Sequence, residues 1–325
     1  MLLAGLRRLA NAVVLIVAVV LLNFLLIHLA PGDPAVVLAG EAGGTSPEAL
    51  EAIRHAYGLD RPFMVQLLNY LGQVLQGDLG HSYYFDASVT SLIWQRLGPT
   101  LLLSGSAMLF ALVLGTTLGV SAARRPNGAY GSGITVLSVV GFAMPAFWLG
   151  SLLVLLFGLR LGIFPTAGME SVIPPTGFFA QMVDVGQHLV LPTISLGLVY
   201  LALYSRTAKA SMIDVLGSDY IRTARAKGAG PSTVTFKHAF RNALMPVVTV
   251  AGLQTGALLS GAVLVEIVFN WPGLGRLALD SILRRDTPVL LGILVVSSVV
   301  VIVANLLTDL AYRLIDPRIR TGVAR

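Results

Sequence analysis

Two of the three lysines in the chain lie in residues 219–238, the basic and glycine-containing segment DYIRTARAKGAGPSTVTFKH. This segment separates two long apolar stretches and contains four cations: Arg222, Arg225, Lys227 and Lys237. Guanidinium and ammonium groups bind carboxylates, phosphates and anionic lipid headgroups. The chemistry that the segment supports is therefore binding, either to a partner protein or to a lipid surface.

The same segment predicts a short free-standing helix over about residues 220–227. Ser218 or Asp219 is suited to cap its first turn. Gly228 or Gly230 is suited to end it in the left-handed conformation, and Pro231 prevents its continuation. The side chains that helical spacing presents together are Tyr220, Ile221, Ala224 and Lys227, with Arg222 and Arg225 on neighbouring faces. A loop that only sets topology needs charge alone, whereas a capped and stopped helix with an aromatic residue is typical of a docking element.

The common catalytic and cofactor motifs are missing from the sequence. There is no cysteine, and no histidine is followed by glutamate, which excludes thiolate sites and the HExxH zinc motif. No lysine is followed by Ser or Thr, so the chain has no P-loop for ATP. The glycine-spaced GLGRLA, residues 273–278, follows Trp-Pro rather than a strand, and we interpret it as a loop. We therefore expect no catalytic residue, metal site or cofactor in this chain.

Composition identifies a membrane protein. Hydrophobic residues make up 55% of the 325 residues, charged residues only 12%, and the mean hydropathy is +0.81. A helix needs roughly 20 apolar residues to cross a bilayer. About six segments are predicted to do so, near residues 9–29, 99–122, 133–157, 188–204, 243–269 and 288–311. The fourth of these is the shortest.

The distribution of basic residues predicts the orientation in the membrane. Most of the 22 Lys and Arg residues fall at the two chain ends and in the loops near residues 124 and 209–241. Loops rich in these residues stay in the cytoplasm, so both termini and residues 219–238 are predicted to be cytoplasmic. The net charge of +6 is explained by this topology better than by nucleic-acid binding.

This topology divides the chain into three expected regions. Residues 1–30 form the N-terminal tail and first span, and residues 31–98 form an extracytoplasmic helical cap. The cap contains predicted helices near 47–58 and 62–75, the first of them capped by Ser46 and stopped at Gly58. Residues 99–325 form a core of five spans with a cytoplasmic loop over 208–242.

Two residues in the predicted spans are candidates for a pathway or a gate. Pro145 lies inside the third span, where its missing N–H and its ring should kink the helix. Glu266 lies late in the fifth span, where we expect it to line an outer vestibule or to meet lipid headgroups. Few other ionisable residues fall within the spans, which argues against an ion-coupled carrier. A passive channel or structural subunit would not need the docking helix.

Several motifs together resemble one family. Asp219–Gly228, followed by HAFRNALMPVV, resembles the cytoplasmic EAA loop of ABC importer permeases, specifically the dipeptide, oligopeptide and nickel subfamily. The segments APGDP, YGLDRPFMVQ, GDLGHSY, MPAFWLG, GIFPTAG and FNWPGLGRLALDSILRRDTPV occur in the order typical of that subfamily. The chain has Arg222-Thr223-Ala224 where the general motif has Glu-Ala-Ala.

The resemblance implies a fold, partners and a site. The fold would be the all-α, polytopic type I ABC importer permease fold in a bacterial inner membrane. The partners would be a second homologous permease, two ATP-binding cassette ATPases that use ATP and Mg, and an extracytoplasmic solute-binding protein. The helix would dock on an ATPase through Asp219, Tyr220, Ile221, Arg222, Ala224, Arg225, Lys227 and Gly228. The substrate would be a di- or oligopeptide, with a nickel chelate, glutathione or another small solute as alternatives.

Overall fold

The computed structural model describes residues 2–29, 47–56, 60–82, 84–124, 126 and 128–315. These residues are almost entirely helical. The α-helices are α1 (Leu2–Leu29), α2 (Pro47–Ala56), α3 (Phe63–Leu75), α4 (Val89–Ala123), α5 (Ala129–Ala143), α6 (Ala146–Leu153), α7 (Phe178–Leu216), α8 (Asp219–Ala226), α9 (Pro231–Thr233), α10 (Phe240–Val268), α11 (Leu274–Arg284) and α12 (Thr287–Ile315). Two π-helical segments, Val154–Arg160 and Val234–Ala239, follow α6 and α9. A two-stranded antiparallel hairpin, β1 (His81–Ser82) and β2 (Ala87–Ser88), precedes α4.

The chain forms two compact units. One contains Met1–Gly98 and Leu277–Ile302, and the other contains Pro99–Arg276 and Val303–Arg325. In the first unit, the ring of Phe24 on α1 packs edge-on against Phe63 on α3. In the same unit, Asn23 Nδ2 donates a 3.0 Å hydrogen bond to the carbonyl of Leu291. Helix α1 is thus held to α3 by an aromatic contact and to α12 by a buried hydrogen bond.

The two helices predicted for the cap are present as α2 and α3. Pro62 occupies the N-cap position of α3. The predicted cap at Ser46 and stop at Gly58 lie outside the described residues. The hairpin was not predicted, since each of its strands has only two residues and carries no alternating pattern.

Three helices in the described part of the chain are long and apolar enough to cross a membrane: Val89–Ala123, Phe178–Leu216 and residues 287–308 of α12. The pair α5 and α6 with its π-helical extension adds a fourth if the pair counts as one span. Helices also cover the predicted spans near 9–29 and 243–269 as α1 and α10. The total of six spans stays a prediction.

The fourth predicted span is much longer than expected. Its helix, α7, has 39 residues and is the longest helix in the described chain, whereas the predicted membrane span covered only residues 188–204. The sequence SRTAKASMIDVLG does predict a cytoplasmic extension of this helix that is broken at Gly217, and this break is confirmed. The apolar pattern marks only the part of a helix that suits a bilayer. The helix continues through more polar residues at both ends, and it stops only at Gly177 on one side and Gly217 on the other.

Pro145 breaks the third predicted span rather than bending it slightly. The axes of α5 and α6 differ by 102° across Met144 and Pro145. Pro145 has extended backbone angles and occupies the N-cap position of α6, where its missing N–H costs nothing. The predicted kink is therefore confirmed, as a sharp turn between two helices.

Helices α4 and α7 approach each other most closely at two glycines. A Cβ atom at Gly119 would lie 2.3 Å from the carbonyl oxygen of Ser205, and one at Gly115 would lie 2.8 Å from that of Leu201. Both distances are shorter than any normal carbon–oxygen contact. Small residues allow helices in a membrane to pack backbone against backbone, where dispersion contacts replace the hydrophobic effect.

Glu266 is fully buried in the second unit, so the expectation that it faces a vestibule or lipid headgroups is wrong. Its carboxylate accepts hydrogen bonds from the hydroxyl of Thr100 at 2.6 Å, from the N–H of Gly275 at 2.7 Å and from the N–H of Arg276 at 3.1 Å. The last two groups are backbone donors in the first turn of α11, which attracts negative charge. Glu266 therefore caps α11 from another helix.

The glycines of GLGRLA make room for this carboxylate. A Cβ atom at Gly273 would lie 2.2 Å from Glu266 Cδ, and one at Gly275 would lie 2.9 Å from Glu266 Oε2. Trp271, just before them, is fully buried and donates from Nε1 to the carbonyl of Pro99 at 2.9 Å. The glycine spacing thus serves a tertiary contact rather than a nucleotide.

We expect Gly119→Ala to destabilise the protein and Gly105→Ala, on the same helix, to be neutral or stabilising. The added methyl group at position 119 meets the backbone of α7, whereas a Cβ atom at position 105 meets no atom within 4 Å. Overpacking of this kind costs about 1–3 kcal/mol. Thermal unfolding of the two purified variants measures the difference. Equal melting temperatures would contradict the close contact.

We expect Glu266→Gln to lower the melting temperature, whereas Glu170→Gln, at an exposed glutamate of the same unit, leaves it unchanged. The amide keeps the shape of the side chain but loses the charge and one acceptor toward the donors of α11. Hydrogen bonds to a charged group contribute about 1.5–3 kcal/mol. A shift of the same size in both variants would show that the buried carboxylate does not stabilise α11.

Candidate functional site

The predicted docking helix is present as α8, from Asp219 to Ala226, one residue earlier at each end than predicted. Ser218 occupies the N-cap position, but its hydroxyl donates to the carbonyl of Val215 at 2.6 Å instead of capping α8. Gly217 ends α7 just before it. Two residues, Gly217 and Ser218, therefore separate the end of the 39-residue helix α7 from the start of α8.

Gly228 ends α8 in the left-handed conformation, with φ of 84°, whereas Gly230 has φ of −67°. The N–H of Gly228 donates to the carbonyl of Arg225 at 2.9 Å, and the N–H of Ala229 donates to that of Ala224 at 3.1 Å. These two bonds form a Schellman motif, which satisfies carbonyls at a helix C-terminus. The prediction of a left-handed stop is confirmed at Gly228.

Ile221 does not lie on an exposed docking face, which corrects the sequence prediction for this residue. Its side chain is 0% exposed and packs in a cluster with Val120 of α4, Met212 of α7 and Val234 of the second π-helical segment. An amphipathic helix of only eight residues is not stable alone in water. Burial of Ile221 fixes α8 to the rest of the second unit.

Tyr220 combines an exposed ring with an anchored hydroxyl. Its side chain is 44% exposed, and its hydroxyl accepts a 2.8 Å hydrogen bond from Nδ2 of Asn242 on α10. The same hydroxyl lies 3.5 Å from the carbonyl of His238, at the limit of a hydrogen bond. Tyr220 thus links α8 to the start of α10. No local sequence pattern predicts this contact of Asn242.

The outward face of α8 is mainly basic. Arg222, Arg225 and Lys227 are all exposed, and the acidic Asp219 is exposed beside them. Arg222 Nη1 lies 3.4 Å from Asp219 Oδ1, but both side chains face solvent, where such a pair contributes little. Phe236, on the following π-helical segment, is 59% exposed and extends the surface with an apolar side chain. This surface is suited to a partner that offers carboxylates around an apolar cleft.

An open groove in the second unit lies elsewhere, beside the first turns of α7. It has a volume of about 520 Å³ and is lined by Ser171, Ile173, Pro175, Phe179, Ala180, Val183, Asp184 and Gln187. Its carboxylate is already engaged, because the N–H and the hydroxyl of Ser171 donate to Asp184 at 2.7 and 2.6 Å. The groove therefore offers a mostly apolar surface.

Two family models together match almost the whole chain. Residues 115–321 match the model of the binding-protein-dependent transport system inner membrane component. Residues 1–104 match the N-terminal model of the membrane component of the same transport systems. The two matched ranges leave only a short segment inside α4 between them.

Similar proteins extend over the same length. The di/tripeptide transport system permease protein DppB of Pseudomonas aeruginosa is 43% identical over 97% of both chains. The dipeptide transport system permease protein DppB of Escherichia coli is 40% identical over 97% of this chain and 98% of its own. The oligopeptide transport system permease protein AppB of Bacillus subtilis is 40% identical over 96% and 98%.

A solved structure shows the same fold at low sequence identity. The MetNI methionine ABC transporter, in an inward-facing conformation, matches 69% of this chain and 96% of its own with a TM-score of 0.55 and 17% identity. This match confirms the all-α ABC importer permease fold. Together with the two family models and the full-length relatives, it shows that the chain belongs to the family of binding-protein-dependent transport system inner membrane components.

Proposed function

We propose that this chain is the membrane subunit through which an ATP-driven importer passes its solute, and that α8 is its contact with an ATPase subunit. The observation that carries the proposal is the division of α8 into two sides. Its apolar side, at Ile221, is buried in the chain, while its cations and the ring of Tyr220 face outward. A helix anchored on one side transmits force applied to the other.

Mechanically, closure of two ATPase subunits around ATP would move α8, and α8 would carry the cytoplasmic end of α7 with it. Family membership implies ATPase and binding-protein partners. We further propose a second homologous permease and two ATPases in the assembly, each permease contributing one such helix. The chemistry of ATP hydrolysis, with Mg, would belong to the ATPases, because the sequence of this chain contains no P-loop.

The distribution of basic residues supports the membrane orientation that this mechanism needs. Cytoplasmic termini and a cytoplasmic segment 208–242 follow from the excess of Lys and Arg there. Residues 31–98 would then lie outside, where they would meet the loaded binding protein. Pro145 would act at the pathway as the break between α5 and α6, a point where two rigid helices are able to change their angle.

We propose a di- or oligopeptide as the solute. The support comes from the relatives that cover almost the whole chain, which are named as di/tripeptide, dipeptide and oligopeptide permeases. Nickel chelates, glutathione and other small solutes remain the alternatives within the wider family. Uptake of a labelled dipeptide, competed by an excess of each alternative, separates these substrates.

We expect Gly228→Val to abolish ATP-dependent uptake and Gly230→Val to preserve it. Both positions are exposed with no atom within 4 Å of an added Cβ, but only Gly228 has positive φ. A left-handed conformation costs an ordinary residue about 1–2 kcal/mol, and more when the side chain is β-branched. The substitution should therefore unravel the Schellman motif and displace the end of α8.

The measurement is copurification of ATPase subunits with the tagged chain, followed by uptake in proteoliposomes with the binding protein. If the native chain retains no ATPase, the proposed function is wrong. If the Gly228→Val and Gly230→Val variants transport equally, the left-handed end of α8 has no part in coupling.

We expect Tyr220→Ala to weaken retention of the ATPase by about tenfold, as is common when a partly exposed interface aromatic is truncated. Tyr220→Phe, which loses only the hydrogen bond from Asn242, should retain the ATPase at close to the native level. Titration of purified ATPase against each variant measures the affinity. Equal losses in both variants would show that the hydroxyl matters rather than the ring.

A further inference from the structure

We propose that Lys209 links the ATPase-coupled helix α7 to the broken helix pair α5 and α6, so that movement of α8 reaches that pair. This inference rests on the proposed function and assigns a positioning residue within it. Lys209 Nζ donates to the carbonyl of Gly131 at 3.0 Å and to Thr135 Oγ1 at 2.9 Å, both on α5. The hydroxyl of Thr135 donates to the same carbonyl at 2.9 Å.

The position of Lys209 suits this role. It lies seven residues before the end of α7, about 10 Å along the helix axis from Leu216. On another face of α7 at the same level, a Cβ atom at Gly119 would meet the carbonyl of Ser205 and the backbone nitrogen of Lys209. At this level α7 therefore contacts α4 backbone to backbone and reaches α5 through a charged hydrogen bond, which is roughly twice as strong as a neutral one.

A second side chain of α7 holds the other half of the broken pair. Ser195 Oγ donates to the carbonyl of Ala146 at 2.7 Å, directly after the break at Pro145. Ser195 and Lys209 lie on one continuous helix, about 21 Å apart. Helix α7 thus holds α6 through Ser195 and α5 through Lys209, one contact on each side of the 102° turn.

These two contacts determine that α5 and α6 would move with α7 when α8 moves. A rigid α7 that tilts with α8 carries the main chain of α5 at Gly131, because the lysine bonds a backbone carbonyl rather than a flexible side chain. Without Lys209, α7 keeps its connection to α8 and its contact with α4, but its polar link to α5 at the cytoplasmic end is lost. The apolar packing of α5 on α7 near Gly141 and Ala202 remains, so α5 would follow ATP-driven movement of α7 and α8 less closely at this end.

The first test compares Lys209→Met with Lys209→Arg in the full complex in proteoliposomes, with ATP hydrolysis and peptide uptake measured in the same vesicles. Methionine keeps the length and apolar stem, whereas arginine keeps the charged donors. We expect about tenfold less peptide per ATP hydrolysed with Lys209→Met, a ratio near native with Lys209→Arg, and retained ATPase subunits in both. Thr135→Val, which removes one acceptor on α5, should give a smaller loss in the same direction.

The second test measures the movement directly. The chain has no cysteine, so spin labels at Val136→Cys on α5 and Ile213→Cys on α7, both exposed sites, are unique when the partner subunits are cysteine-free. We expect the label–label distance to stay constant between the nucleotide-free and ATP-bound complexes of the native background. In the Lys209→Met background we expect the distance to change on ATP binding.

The results that would contradict the Lys209 link differ from the result that would contradict the proposed function. Equal peptide-to-ATP ratios in the native and Lys209→Met complexes, or distances that respond to ATP identically in both, would overturn the link. Loss of the ATPase from the Lys209→Met complex would overturn it too, because the lysine would then act in docking. Absence of ATP-dependent uptake by the native complex would instead refute the proposed function.

Discussion

The backbone contact between α4 and α7 at Gly115 and Gly119 is the constraint on which the second unit depends. Since membrane lipid is as apolar as the helix surfaces, helices gain little from hiding apolar side chains and must gain from close packing. The two glycines bring α4 within contact distance of the α7 carbonyls. Helix α7 is therefore the central helix of the unit, and it contacts α5, α6 and α10 as well.

Two charged side chains in this apolar protein, Glu266 and Lys209, lie where they bond backbone groups. Glu266 is buried because α11 begins beside it and presents unpaired N–H groups. Lys209 turns toward α5 because the carbonyl of Gly131 accepts a hydrogen bond from its ammonium group. At Glu266 the carboxylate replaces water on N–H groups that have no partner within their helix. At Lys209 the ammonium group adds a donor to a carbonyl that also accepts from Thr135.

The sequence predicted features that depend on local backbone preferences. The stop at Gly228, the ends of α3 and the break at Pro145 all follow from residues within one or two positions of the feature. Tertiary contacts do not follow from such local preferences. Pro99, Pro192 and Pro246 lie inside helices that continue past them. Pro145 was predicted to lie inside a helix too, but it separates α5 from α6. At Pro145, tertiary contacts stabilise the new direction of α6. Ser195 donates a hydrogen bond to the carbonyl of Ala146, and the ring of Phe269 lies against Gly150.

The candidate site also combines features that local sequence predicts with tertiary contacts that it does not predict. Local pattern predicts that α8 exists, that it is short and that it carries cations, but not which side it buries. Ile221 and Tyr220 are adjacent, and although isoleucine is buried more often than tyrosine, the local pattern does not identify what covers Ile221. The π-helical segment after α9 and the start of α10 decide which side is buried, by covering Ile221 with Val234 and by holding the hydroxyl of Tyr220 with Asn242. A coupling element needs both sides, because an exposed face without an anchored one binds a partner but transmits no force.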